Sequence, residues 1–157
     1  MSAMFAFGVG LAMTPVAKPM ASDLTLPLAI DLAQAALDIC ATRGFPASVS
    51  VADAKGVALV ILRHPDSPKP PVAAPRKAAT AAFFDTAGSL MEPREKTDAA
   101  FAARIAAEPE RFNAHGGSLP LHVGDRLVGG LAVADAPHDI ADQCARAALA
   151  RFADHVH

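Results

Sequence analysis

Two pairs of short apolar runs, each closed by a glycine turn, constrain this chain more than any other feature. Ser48 to Asp53 alternates, with Val49 and Val51 on one side and Ser48 and Ser50 on the other. Ala54-Lys55-Gly56 turns the chain, and Val57 to Leu62 returns as a near-continuous apolar run. The second pair, Ser118 to Val123 and Leu127 to Ala134, is joined by Gly124-Asp125-Arg126. Glycine and aspartate between apolar runs favour the turns whose twist matches paired strands. Hairpins join antiparallel strands, whereas parallel strands need long crossovers. The two hairpins therefore predict an antiparallel sheet. The run from Val57 to Leu62 is apolar on both faces, which predicts a central strand covered on each side.

Helical segments surround the hairpins. Thr25-Leu26-Pro27 opens one, with Thr25 able to cap free backbone amides and proline tolerated in the first turn. Leu28, Leu32, Ala35, Ala36 and Ile39 then share a face, and Gly44 ends the helix. His64 to Pro75 carries five prolines and reads as a loop. Arg76 to Thr86 reads as an alanine-rich helix bearing Phe83 and Phe84. Gly88 to Pro93 reads as a break, and Glu95 to Ala107 as a further helix. Pro137 to Ala153 is the last, with Asp135 as its expected cap. The order helix, hairpin, helix, helix, hairpin, helix specifies an α+β fold, an antiparallel sheet flanked by helices.

The length of 157 residues suits a single domain with a core of its own. Only 5% of residues are aromatic and none is Trp or Tyr, so packing falls to Leu, Val, Ile, Ala and eight Phe. A net charge of −2 without clustered Lys and Arg argues against nucleic acid as a partner. Cys40 and Cys144 lack CxxC spacing and read as small buried residues. A mutual disulfide would require their two helices to pack side by side.

Residues 1–23 read as an N-terminal arm or signal-like segment, and 24–157 as the folded domain. The apolar run Ala3 to Met13 is too short to span a bilayer, so no stable membrane span is expected. It has signal-peptide length and precedes the small-residue site Pro19-Met20-Ala21-Ser22, but no Lys or Arg comes before Lys18. The cytoplasm is the favoured compartment, with a periplasmic or secreted location if the run is a signal.

Chemistry-bearing motifs are few. Gly8-Val9-Gly10 fails as a dinucleotide fingerprint because Met13 takes the third glycine position. Walker A, GxSxG and HExxH patterns are absent. Of six histidines, His138 reads as exposed in a first helical turn and His155 and His157 as a frayed terminus. His115 and His122 would stand roughly 20 Å apart along an extended segment, too far to share a metal. His64 and His115 sit at loop edges, where ligand groups collect. His115 precedes Gly116 and Gly117, which let a backbone approach another surface closely. Arg76 and Lys77 start a helix, a favourable place for carboxylates or phosphates.

Five segments, in order, resemble the GlcG-like or HbpS-like family, also called the haem-degrading domain family, which includes the C-terminal domain of PduO-type proteins. They are Leu24-Thr25-Leu26, the stretch from Val49 to Gly56, Arg76-Lys77-Ala78-Ala79-Thr80-Ala81, His115-Gly116-Gly117-Ser118-Leu119-Pro120-Leu121, and Val128 to Val133 followed by Asp142. The resemblance spans about residues 24 to 153. It implies a compact profilin-like or GlcG-like α+β domain, frequent homo-oligomers and, in some members, binding of haem or a related tetrapyrrole. Three departures stand out. His115 replaces the family's proline before Gly-Gly. Arg63-His64-Pro65-Asp66-Ser67 replaces its RMDGA. Ala132, Ala134 and Asp135 replace its later glycines.

Three readings follow. In the first, the protein binds a small molecule, and the resemblance points to haem as cofactor. His115 or His64 would ligate the iron, the only metal role foreseen, and Arg76, Lys77 and Arg63 would hold carboxylates. Gly116 and Gly117 would open the cavity, and Phe83 and Phe84 would wall its apolar side. In the second, the protein is an isomerase- or lyase-type enzyme acting on a small organic acid. His115 would be the acid/base, Lys77 or Arg63 would hold the carboxylate, and the Gly116 and Gly117 amides would hold an oxyanion. In the third, it is an accessory homo-oligomer assembled through its N-terminal arm.

Overall fold

The computed structural model describes residues 24–157. The N-terminal arm lies outside them. The elements are α1 (Leu26–Thr42), β1 (Ser48–Asp53), β2 (Ala58–Arg63), α2 (Ala73–Phe84), α3 (Gly88–Thr97), α4 (Ala99–Ala106), β3 (Ser118–Val123), β4 (Arg126–Ala134) and α5 (His138–Ala150). The four strands form one antiparallel sheet in the order β2-β1-β4-β3. Both hairpins are present, and the two are joined through β1 and β4.

One face of the sheet carries Val49, Val51, Leu119, Leu131 and Val133 against Leu32, Ala36 and Ile39 of α1 and Ala141 and Ala145 of α5. The other face is covered by α2, where Ala78 packs on Ala52 and Ala132. Here the small residues explain the geometry. A Cβ at Gly130 would lie 2.2 Å from the Ala78 carbonyl oxygen, so α2 rests almost directly on the β4 backbone. A close-packed interior requires that fit, and glycine with alanine provides it.

β2 is an edge strand, not the covered central strand its apolar run predicted. Ile61 pairs with Ser50, on the face where Ala52 meets α2. But α2 lies mainly over β1 and β4. Leu59 and Ile61 project beyond it and are 37% and 45% exposed.

Residues 88–93 do not break the chain. They begin α3, which runs through Pro93 and is anchored by Met91, 1% exposed. Proline there removes one backbone hydrogen bond, and packing of Met91 with Phe101, Ile105 and Phe112 offsets the loss. α2 likewise starts earlier than predicted, at Ala73, with Pro75 in its first turn.

Cys40 and Cys144 are joined as a disulfide, Cα to Cα 5.5 Å, because α1 and α5 do pack side by side. The expectation of two separate thiols is thereby corrected. Asp135 is not a cap either: α5 follows Pro137, which makes no side-chain cap. Asp135 takes φ 70°. Its Oδ2 accepts from the Ser48 hydroxyl at 2.5 Å and the Ser67 hydroxyl at 3.2 Å. Nor is the C-terminus frayed. His157 exchanges two backbone hydrogen bonds with His122 on the outer edge of β3.

Candidate functional site

The proline-rich loop, α2, the segment 113–117 and the β4–α5 connection meet at a cleft of about 350 Å³, lined by Lys69, Lys77, Asn113, His115, Asp135 and His138 among others. The close seat of α2 on β4 drives Lys77 inward until it is 3% exposed. Its Nζ donates to the Gly116 carbonyl oxygen at 2.7 Å. Burial lowers the ammonium pKa from 10.5 to about 8, against the opposing pull of the Glu92 and Asp135 carboxylates.

Gly116 is held from both sides. Its carbonyl serves Lys77, and its amide donates to Glu92 Oε2 at 2.9 Å. The Gly116 amide is thus engaged by a protein carboxylate and does not face an open oxyanion site. Gly117 has φ 97°, accepts from the Val133 amide at 2.8 Å, and leaves no room for a Cβ, which would lie 2.6 Å from Ala141 Cβ. The glycine pair lets the loop wedge between β4 and α5.

Glu92 also meets His138. Its two carboxylate oxygens lie 2.9 and 3.0 Å from His138 Nδ1. Partial burial pushes the Glu92 carboxyl up. The Gly116 amide and the His138 hydrogen bond outweigh that effect and hold it below its usual value. The His138 ring stacks on the His115 ring, centroids 5.1 Å apart. Among the described residues, His138 Nε2 and both His115 ring nitrogens make no hydrogen bond. His138 is exposed in the first turn of α5, as read from the sequence, and it also lines the cleft and a second one of about 490 Å³ bounded by Glu92, Gly116 and Asp142.

The structure gathers only part of the predicted set. His115, Lys77 and Gly116–Gly117 come together. His64 stays on the proline loop, outside the cleft lining, where its Nδ1 accepts from the Asp66 amide at 3.1 Å. Arg63 donates to the carbonyls of Lys69, Pro65 and Ser67, tying that loop shut. Arg76 pairs with Glu110 at 3.0 Å. Phe83 and Phe84 join Phe101 and Phe112 in an aromatic cluster away from the cleft. Sequence reasoning missed Glu92, His138, Asp135 and Lys69.

A larger cavity of about 690 Å³ lies between α3, β3 and α5, with Leu90, Leu119, Leu149 and Val156 in its walls. The His122–Asp85 contact at 2.8 Å lies at its side. The concentration of ionisable groups is in the smaller cleft, which we take as the site. Among the described residues, no His, Cys, Asp and Glu cluster is built to hold a bare metal ion, and no helix is long and apolar enough to cross a membrane.

A family model described as haem-degrading protein HbpS-like matches residues 24–150. The fold superposes on a haem complex of PduOC with a TM-score of 0.71, at 27% identity over 77% of this chain and 88% of that one. A double mutant of Streptomyces reticuli HbpS gives a TM-score of 0.72, at 29% identity over 96% of this chain and 98% of that one. The Klebsiella pneumoniae protein ORFY, 20% identical over 83% of this chain and 90% of that one, shares the fold with a TM-score of 0.76. No curated protein matches.

Proposed function

The chain belongs to the HbpS-like family of haem-degrading proteins, and from that premise we propose that it binds haem or a related carboxylate-bearing tetrapyrrole. The observation that carries this reading is the His115 imidazole, exposed at a cleft that also holds a buried cation, Lys77. The donor set suits the group. A neutral imidazole is a common axial ligand of haem iron. Lys77 inside the cleft and Lys69 on its wall offer positive charge for propionates. A cleft of about 350 Å³ takes a small ligand or one edge of a macrocycle. Bound haem would supply redox and oxygen chemistry. The chain's residues would supply the ligand, the carboxylate partners and the shape of the entry. His64, Arg63 and Arg76 take smaller parts in this reading, since each is engaged elsewhere.

Titration of the protein with hemin tests the reading. A Soret shift that weakens in His115→Ala or His138→Ala, and persists in His64→Ala, is expected. A shift unchanged in all three variants removes imidazole ligation from the site.

Two further features belong to the proposal. The exposed row of Leu59 and Ile61 on edge strand β2, continued by the exposed Val57 before it, supports a homo-oligomer. The Cys40–Cys144 disulfide favours an oxidising compartment, and so the periplasmic or secreted alternative over the cytoplasm.

A further inference from the structure

We propose that Lys77 is a carbonyl-reactive amine, forming a reversible imine with a small 2-oxo acid in the cleft while His138, oriented by Glu92, moves the protons. The inference goes beyond haem binding and does not depend on it.

Its basis is what surrounds Lys77. A buried lysine ordinarily needs a carboxylate partner. Here two carboxylates face it, yet both are committed elsewhere. Glu92 on α3 binds the Gly116 amide and His138, and Asp135 after β4 binds Ser48 and Ser67. The hydrogen-bond partner of Lys77 is a neutral carbonyl, that of Gly116. The other ionisable groups at the cleft are Lys69 of the proline loop, His115 and, on α5, His138. An amine so placed gives up its proton readily, and desolvated lysines are the usual imine-forming nucleophiles. The pKa of about 8 accords with this.

His138 completes the arrangement. Glu92 fixes its Nδ1, which leaves Nε2 to exchange protons at the cleft. Lys69 and the His115 ring mark the wall where the substrate carboxylate would rest. In the proposed step the neutral amine adds to the carbonyl carbon and a C–N bond forms. In two transfers relayed through His138, the nitrogen gives up both its protons and the carbonyl oxygen takes up two, first as the carbinolamine hydroxyl and then as departing water. Water leaves and C=N remains, with no change in oxidation state. His138 can then remove a proton from the carbon next to the imine and return one from solvent.

The probe is pyruvate with the full chain. Sodium cyanoborohydride reduces any imine to a stable amine, located by peptide mapping at a series of pH values. Methyl-proton exchange of pyruvate in D2O is followed by NMR. The expected result is an adduct at Lys77 with half-maximal formation near pH 8. Exchange should disappear in Lys77→Arg and fall on the order of 100-fold in His138→Gln. An adduct spread over other lysines with none favoured at Lys77, or exchange undiminished in Lys77→Arg, overturns the proposal. The adduct's position and pH profile are read on the unsubstituted protein, so they stand even if a variant fails to fold. Hemin titration of the same preparation is scored separately. Trapping at Lys77 without a Soret shift sinks only the haem reading, and the reverse sinks only this one.

Discussion

Lys77 and Gly116, 39 positions apart, are joined by a 2.7 Å hydrogen bond from a buried ammonium to a backbone carbonyl. That bond clamps α2 to the loop carrying His115, and it buries a charge to do so. The cost has a pH signature. The folded-state pKa is about 8 and the ordinary value 10.5. Between those limits the unfolded chain binds more protons, so stability rises with pH across that window. The shift corresponds to about 3 kcal/mol. Urea unfolding from pH 7 to 10.5 should show this gain in the unsubstituted protein relative to Lys77→Met. Parallel stability profiles for the two would refute it.

The glycine pair makes a sharper steric prediction. Gly117→Ala places a Cβ 2.6 Å from Ala141 Cβ and 2.8 Å from the Val133 carbonyl oxygen, at a φ of 97° that alanine rarely adopts. Loss of about 3 kcal/mol is expected. Gly124→Ala is the control. It has φ 57° but open space around the new Cβ, so only about 1 kcal/mol of backbone strain is expected. Equal effects in the two variants would mean that packing at Gly117 contributes nothing.

Local signals made the hairpins legible, since period-two alternation and turn glycines act over a few residues. The place of β2 in the sheet was not local. An apolar run reads alike whether a helix covers it or solvent meets it. The site was half legible for a similar reason. Arg76 and Lys77 are neighbours in sequence, but a helix turns about 100° per residue. One therefore reaches Glu110 at the surface and the other enters the cleft. Glu92 gave no signal, because its neighbour Pro93 looked like a chain break and its partners Gly116 and His138 arrive from distant segments. His115 was legible because the glycines beside it announce a close approach.

The disulfide predicts a dependence on redox conditions. Cys40 and Cys144 are 104 residues apart and fully buried. Closing so long a loop in the unfolded chain corresponds to about 4.7 kcal/mol of chain entropy, of which disulfides typically deliver about 2–4 kcal/mol. The double variant Cys40→Ala/Cys144→Ala should lose that much in urea. Added reductant should lower the unfolding midpoint of the original protein only, leaving the double variant unmoved. A midpoint indifferent to reductant in both would show that the pair is not bonded in solution.

The edge strand makes the last prediction. A row of apolar side chains on an edge strand is a liability in a monomer, and proteins usually blunt such edges with charge or cover them. β2 carries Leu59 and Ile61 outward with only Arg63 as a charge at its end. If a second copy covers them, Ile61→Lys should lower the sedimentation mass while leaving the thermal unfolding of the subunit nearly unchanged, because Ile61 is 45% exposed in the single chain. Leu121→Lys, at a position fully buried in the core, should instead unfold the subunit itself. An Ile61→Lys protein of unaltered mass would place the contact between copies elsewhere on the molecule.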